Sequence, residues 1–395
     1  MAVWKEYKIG DLCDTISETY RGHDEEVILI NTSDVLEGRI LNHQKVPNRN
    51  VKGQFKKTFK TQDILYSEIR PENNRFAYVD MKDTSLYIAS TKLMVIRANI
   101  EIIEPRFLYA ILTAKSMTQE LQVRAELRSG TFPQITFKTE LATIKVCVPD
   151  RKTQKKIVSF LDAINRKIEV NNKINRNLSE QAQAYFDELF IQNASAEWKE
   201  GTLSDVGSIV AGGTPFKSNQ EYYTDNGIAW ITPKDLSVDK SVFISHGEND
   251  ITELGLQKSS ATMMPAGTVL FSSRAPIGYI AIAANDICTN QGFKSVVPNG
   301  NVGTSYVYYL LKQLLPTIEN MASGSTFKEI SGSAMKIVPT VIPDDETLKR
   351  FSDFCDPIMK QIWKNEQESK RLVELRDSLL PKLMSGDLDV SDLDI

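Results

Sequence analysis

The sequence is short of the residues that most often carry chemistry. Of its 395 residues, four are cysteine and three are histidine. Cys13, Cys147, Cys288 and Cys355 lie too far apart for a metal-ligand motif, so no metal site is expected. Unpaired thiols suit a reducing compartment, and all four read as small hydrophobes packed inside. His23, His43 and His246 fall in unrelated contexts and read as loop or surface residues. Long apolar runs are missing as well: the best, about 11 residues around Ile277–Ile287, falls short of the roughly 20 that cross a bilayer. The opening "MAVWKEYKIGD" holds no hydrophobic signal region, so the expectation is a cytoplasmic chain with no membrane partner.

Catalytic signatures are absent in the same way. There is no (D/N)PP(Y/F) run of an amino-methyltransferase, no GxxxxGK(S/T) phosphate loop and no GxSxG elbow. A loose nuclease-like match joins Pro343-Asp344 to Glu368-Ser369-Lys370. Metal-dependent cleavage needs its carboxylates around one cation, and here Glu368 is expected on a long helix remote from Asp344. A strong basic charge is lacking too, since the net charge is −4. The average hides a division: residues 1–196 are net positive and those from 197 onward net negative.

What the chain does have is a repeat. "WKEYKIGDL" at Trp4 returns as "WKEGTLSDV" at Trp198, an offset of 194 residues. At the same offset "VPD" at Val148 meets "IPD" at Ile342, and with small shifts "LYSEIRP" at Leu65 echoes "LFSSRAP" at Leu270. "SGTFPQI" at Ser129 likewise echoes "SGSTFKEI" at Ser323. This is a tandem duplication, and a length of 395 residues suits such a multidomain chain. The expected boundaries are a mixed domain over 1–150, a helical segment over 151–195, a second mixed domain over 196–344, and a second helical segment with a tail over 345–395.

The mixed parts read as α+β. Runs such as "EVILINTSDV", "LYIASTKLMVIRA", "GTVLFSS" and "GYIAIAA" are β-rich and bounded by turn residues. One helix, "EPRFLYAILTAKSMTQELQVRA", is predicted in the first half and "GTSYVYYLLKQLLPTIENMA" in the second. The helical segments carry a heptad seam: Ile157, Leu161, Ile164, Ile168, Asn171, Asn175 and Leu178 in one, Phe351, Ile358, Ile362, Asn365, Leu372, Leu379 and Leu383 in the other. Their polar steps fall at the same central layers. Pairing the two helices aligns those layers in either direction, whereas sliding would bury an Asn against an Ile at roughly 1–3 kcal/mol. Register is thus specified, and direction is not. About 38 residues at ~1.5 Å each make a rod of roughly 57 Å, a spacing device suited to a two-part site on duplex DNA.

"GGTP" at Gly212, "WITPKDL" at Trp230, "SSRAPIGYIAI" at Ser272, "CTNQGF" at Cys288 and "LLPKLMSGDL" at Leu379, in this order and with the duplication, resemble the specificity subunits of type I restriction-modification systems. The resemblance covers essentially the whole chain. It implies two target-recognition domains, each reading one half of a bipartite DNA sequence, held by an antiparallel pair of helices that sets the gap. It also implies partners: double-stranded DNA, two methyltransferase subunits docked on the helices, and restriction/translocase subunits. Catalysis and S-adenosylmethionine would belong to those partners and not to this chain. The first half departs from the pattern, with "NTSDV" at Asn31 for "TPKDL" and "STKLM" at Ser90 for "TNQGF". The competing reading is a symmetric protein-protein scaffold without DNA, which salt-sensitive duplex binding would exclude.

DNA contacts are sought where Lys, Arg, Gln and Thr fall on loops. The strip Lys45–Lys60 carries Lys45, Arg49, Lys52, Lys56, Lys57 and Lys60 with Phe55 and Phe59 interleaved and no acid. The candidates are Lys56, Lys57, Arg70, Arg75, Arg128, Thr131 and Gln134 in the first half. In the second they are Thr214, Lys217, Lys234, Arg274, Gln291, Thr326 and Lys328. Gly212 and Gly213 are expected to serve a close backbone approach or a tight turn.

Overall fold

A computed structural model describes residues 4–49, 53–324 and 328–388. The chain forms two compact units, residues 1–166 with 372–395, and residues 167–371. Two long helices run over Arg151–Asp187 and Asp345–Ser385, and the unit boundaries cut through both.

The repeat is reproduced in hydrogen-bond register. In the first unit strand Lys5–Lys8 pairs antiparallel with Lys145–Val148, with Lys5 opposite Val148. In the second, Lys199–Thr202 pairs with Pro339–Ile342, with Lys199 opposite Ile342. Every partner is displaced by the same 194 positions. A single helical turn follows each opening strand, Ile9–Leu12 and Leu203–Val206, and each buries its first and last residue.

In the first unit, the antiparallel sheet Cys13–Ile16, Leu93–Ala98, Ile64–Ser67, Phe76–Tyr78 is covered on both faces. Strand alternation assigns each face. Ile64, Tyr66, Met94 and Ile96 join a core shared with Phe107, Leu108, Ile111 and Leu121, whereas Leu65, Leu93 and Val95 pack with Ile28, Ile30 and Ala89 of a second four-stranded sheet. Strands buried on both sides read as continuous apolar runs, as these do. The second unit repeats the plan around the five-stranded sheet that contains Val269–Ser273 and Ile277–Ala283. Val269, Phe271 and Ile282 face one core, and Leu270, Ala281 and Ala283 face the other.

Three expectations are corrected. "LYIASTKLMVIRA" is two strands, Tyr87–Ser90 and Leu93–Ala98, in different sheets, because the chain turns at Thr91-Lys92. The first-half helix is two, Pro105–Thr113 and Lys115–Arg128, parted at Ala114 with ψ 139°. An unbroken helix would carry Met117 and Leu121 off the stripe of Phe107, Leu108 and Ile111, and the break lets both stripes reach one core. Of the cysteines, Cys13, Cys288 and Cys355 are buried but Cys147 is exposed. Strand alternation turns Cys147 outward between Val146 and the buried Val148.

The seam residues meet within each unit. In the first, Ile157, Leu161, Leu379 and Leu383 share one core, Ile164 is buried, Leu372 is half-buried, and Arg376 donates to Asn165 (3.1 Å). In the second, Leu178, Phe351, Ile358 and Ile362 share a core, and Ile168 is half-buried. Asn171 donates to Glu368 (2.8 Å) and Ser369 (3.2 Å), and Asn365 donates to Asn175 (2.7 Å). As one helix rises from 171 to 175 its partner falls from 368 to 365, so the pairing is antiparallel.

The second long helix also holds a sheet edge. The Val242 and Phe243 N–H groups donate to Glu366 (2.7 and 3.2 Å), and Trp363 packs on Phe243. Burial outweighs those two donors and raises the Glu366 carboxyl to about 7 from its ordinary 4.5. The folded state therefore holds this proton more firmly than the unfolded chain. The stability it contributes is complete below pH 4.5 and falls as pH rises through 7. Glu366→Gln is expected to flatten that slope and to raise stability at pH 8 by about 1–3 kcal/mol. Urea unfolding of both proteins at pH 5 and pH 8 measures the difference, and parallel slopes would show that the group does not titrate there.

Candidate nucleic-acid interface

In the second unit, segments remote in sequence converge on one cleft of about 630 Å³. Its lining includes Thr214, Lys217, Lys234, Arg274 and Gln291, five of the seven candidates drawn from this half. The motifs hold one another in place. The Trp230 indole donates to the Gly213 carbonyl (2.9 Å), the Asn290 N–H to Ile231 (2.9 Å), and the Ser273 N–H to Gly292 (2.7 Å). Gly212 and Gly213 do serve a close approach, but to the chain's own backbone. A Cβ at Gly212 would lie 2.0 Å from the Asn290 carbonyl oxygen, and one at Gly213 would lie 2.3 Å from the Ala261 nitrogen. Thr232 opens the turn Pro233–Val238, which is capped by Asp235 and presents Lys234.

Cations at the cleft are partly balanced. Lys234 pairs with Glu248, Arg274 with Glu329 (3.3 Å), and Thr214 donates to Gln291. Lys217 is exposed, as is Lys328 outside the cleft, and neither has a side-chain partner among the described residues. Thr326 lies outside the described residues, as does Lys52 of the basic strip.

The first unit sorts its candidates more sharply. The exposed side chains of Lys56, Arg70 and Thr131 have no partner among the described residues and stay available. Arg70 sits at φ 45°, matched by Ala275 at φ 53° in the second unit, each just before a proline. Its N–H donates to the Pro133 carbonyl (3.1 Å) and Ile69 bridges to Gln134, which brings the Arg70 and Gln134 backbones together. Arg128 reaches Glu140 at 3.4 Å and remains partly exposed. Lys57 is corrected: its ammonium donates to the Thr91 and Leu93 carbonyls (3.0 and 2.7 Å), and burial lowers its pKa. Arg75 is likewise turned to its own chain, donating to the Ser33 and Val35 carbonyls (3.0 and 3.4 Å). A carbonyl pair without another donor competes for a long cation, and sequence gives no warning of it. Sequence reasoning passed over Glu329, because it looked for cations and amides and not for the acid opposite them.

The nuclease-like match does not assemble. Asp344 accepts from Thr347 (2.8 Å) and from the Trp198 indole (2.8 Å), while Glu368 pairs with Lys167 (3.0 Å). Among the described residues no group of three His, Cys, Asp or Glu could hold a metal ion, and no helix is long and apolar enough to cross a membrane.

Comparison with known proteins fits this arrangement. A family model described as the type I restriction modification DNA specificity domain matches residues 1–180 and again 195–374. The HindI specificity subunit of Haemophilus influenzae is 31% identical, in an alignment covering 98% of this chain and 100% of that protein. The MjaIX specificity subunit of Methanocaldococcus jannaschii is 38% identical over 48% of this chain and 45% of its own length. A crystal structure of the type I restriction-modification S subunit from M. genitalium shares the fold, with a TM-score of 0.57 at 15% identity, covering 99% of this chain and 97% of that one.

Proposed function

This chain belongs to the type I restriction-modification DNA specificity family, a non-catalytic family of sequence-recognition subunits, and from that premise we propose that it reads a bipartite duplex target, one half-site per recognition domain. The convergence of Thr214, Lys217, Lys234, Arg274 and Gln291 on one cleft is the observation that carries this reading. Lysine and arginine supply phosphate contacts, and the forked donors of Arg274 and Gln291 suit base edges. Arg70 and Gln134, brought together by their backbones, and the exposed Thr131 take the same part in the first unit. The paired helices set the gap and dock two methyltransferase subunits, which bind S-adenosylmethionine. Restriction and translocase subunits complete the assembly, and its place is the cytoplasm, where the DNA is.

The test compares adenine methylation across the host genome with this chain present and deleted, in cells that keep the methyltransferase. Loss of one bipartite motif is expected, and it reveals both half-sites and the gap. An unchanged pattern would overturn the reading. Arg274→Ala is expected to weaken binding at one half-site by about 1–3 kcal/mol, with the other half-site read normally. Titration against duplexes altered in one half at a time measures this, and equal loss at both halves would remove Arg274 from the site.

A further inference from the structure

The two units repeat a three-cornered cluster beside their candidate reading loops, and its corners are filled differently. In the first unit Ile69 bridges to Gln134, and the Ile135 N–H donates to the Glu68 carbonyl (2.8 Å). In the second, Arg274 bridges to Glu329, and the Ile330 N–H donates to the Ser273 carbonyl (3.1 Å). Gln134 therefore stands where Glu329 stands, and Glu68 where Ser273 stands.

A lysine from the neighbouring strand segment fills the third corner. The Lys92 ammonium lies 3.7 Å from the Glu68 carboxylate and 3.4 Å from the Gln134 carbonyl oxygen. The Lys294 ammonium lies 3.8 Å from the Glu329 carboxylate, 3.5 Å from the Ser273 hydroxyl and 3.4 Å from the Gln291 carbonyl. One carboxylate balances the lysine in each unit, but it has changed corners. The 68/273 corner is enclosed, with Ser273 fully buried and the Glu68 side chain 21% exposed. The 134/329 corner is more open, and the Glu329 side chain is 39% exposed.

A carboxylate on a surface that faces a polyanion is repelled by phosphate and gains only from a donor. On base edges in the major groove the donors are amino groups, and cytosine N4 is the one a carboxylate matches by accepting alone. A carboxamide accepts and donates together, which matches adenine N6 and N7. We propose that the 134/329 corner is a one-base reader in each unit, with Gln134 taking an adenine in one half-site and Glu329 a cytosine in the other. Arg274, with only its Nη1 engaged by Glu329, keeps donors free for the guanine of the same pair. This inference rests on the two-part reading proposed above.

The test introduces Glu329→Gln and Gln134→Glu separately, in cells retaining the methyltransferase subunits, and reads the methylated motif genome-wide beside the wild type. Glu329→Gln is expected to shift the preference at one base pair of one half-site from C·G toward A·T by roughly 5- to 100-fold, with the other half-site and the gap unchanged. Gln134→Glu is expected to make the converse shift in the opposite half-site, and it decides independently should Glu329→Gln fail to fold. A wild-type motif from both folded variants, or uniformly weaker methylation at all sites, would overturn the proposal and leave the corner as a support for the lysine. A wild-type chain that directs no motif would instead overturn the two-part reading beneath it.

Discussion

Phe351→Ala is expected to destabilise the second unit by about 3–5 kcal/mol, the range for removing a buried aromatic ring. Phe351 is fully buried near the start of the second long helix. Its ring lies within 5.2–6.5 Å of Tyr185, Phe186, Phe190, Tyr306 and Tyr309. Those partners come from the end of the first long helix and from the helix Thr304–Met321 of the recognition domain. One side chain thus fastens the helix pair to the domain it serves, and the hole left by alanine cannot collapse without moving three elements. Phe351→Leu, which keeps more of the volume, should cost less. Urea unfolding followed by tyrosine and tryptophan fluorescence reports the change. A loss below about 1 kcal/mol for alanine would mean that the cluster holds without this ring.

In the first unit the corresponding vulnerability is electrostatic. Asp63 is 1% exposed and accepts two hydrogen bonds from Arg97, both 2.8 Å, and one from the Lys60 N–H (2.7 Å). Asp63→Ala is expected to cost about 3–5 kcal/mol, because it strands a partly buried guanidinium and a main-chain donor together. The double variant Asp63→Leu with Arg97→Met should recover most of that loss, since a buried ion pair is often replaceable by apolar packing of similar volume. Chemical denaturation of the single and double variants decides. A double variant as unstable as the single one would place the loss in the Lys60 turn and not in the ion pair.

Much of this was legible in the sequence because its signals were periodic. The 194-residue offset is carried into strand register without slippage, and the heptad seam into the buried Asn171 and Asn365 layer. Helix direction was not legible in the periodicity, since matched polar layers fit either orientation; the family resemblance implied the antiparallel pairing that the contacts of Asn171 and Asn175 display. The site was legible as residue types and not as partners. Arg274 and Gln291 could be chosen for their donors, but nothing local revealed that Lys57 and Arg75 answer to their own carbonyls. Glu329 and Ser273 meet only when strands distant in sequence close together. Cys147 and the break at Ala114 were misread for one reason: both are settled by which face the core occupies.

In each copy the strand that opens the recognition module is hydrogen-bonded to the strand that closes it, in matching register. A module whose two ends are ladder neighbours is fastened by its own clasp, and the loops between are free to differ as long as the core facing the long helices is kept. Exchange of the intervening gene segment would deliver a finished reading head with its attachment geometry already set. Such a segment must still fit the long helices, because Phe351 packs on Tyr306 and Tyr309 and Glu366 accepts from Val242 and Phe243.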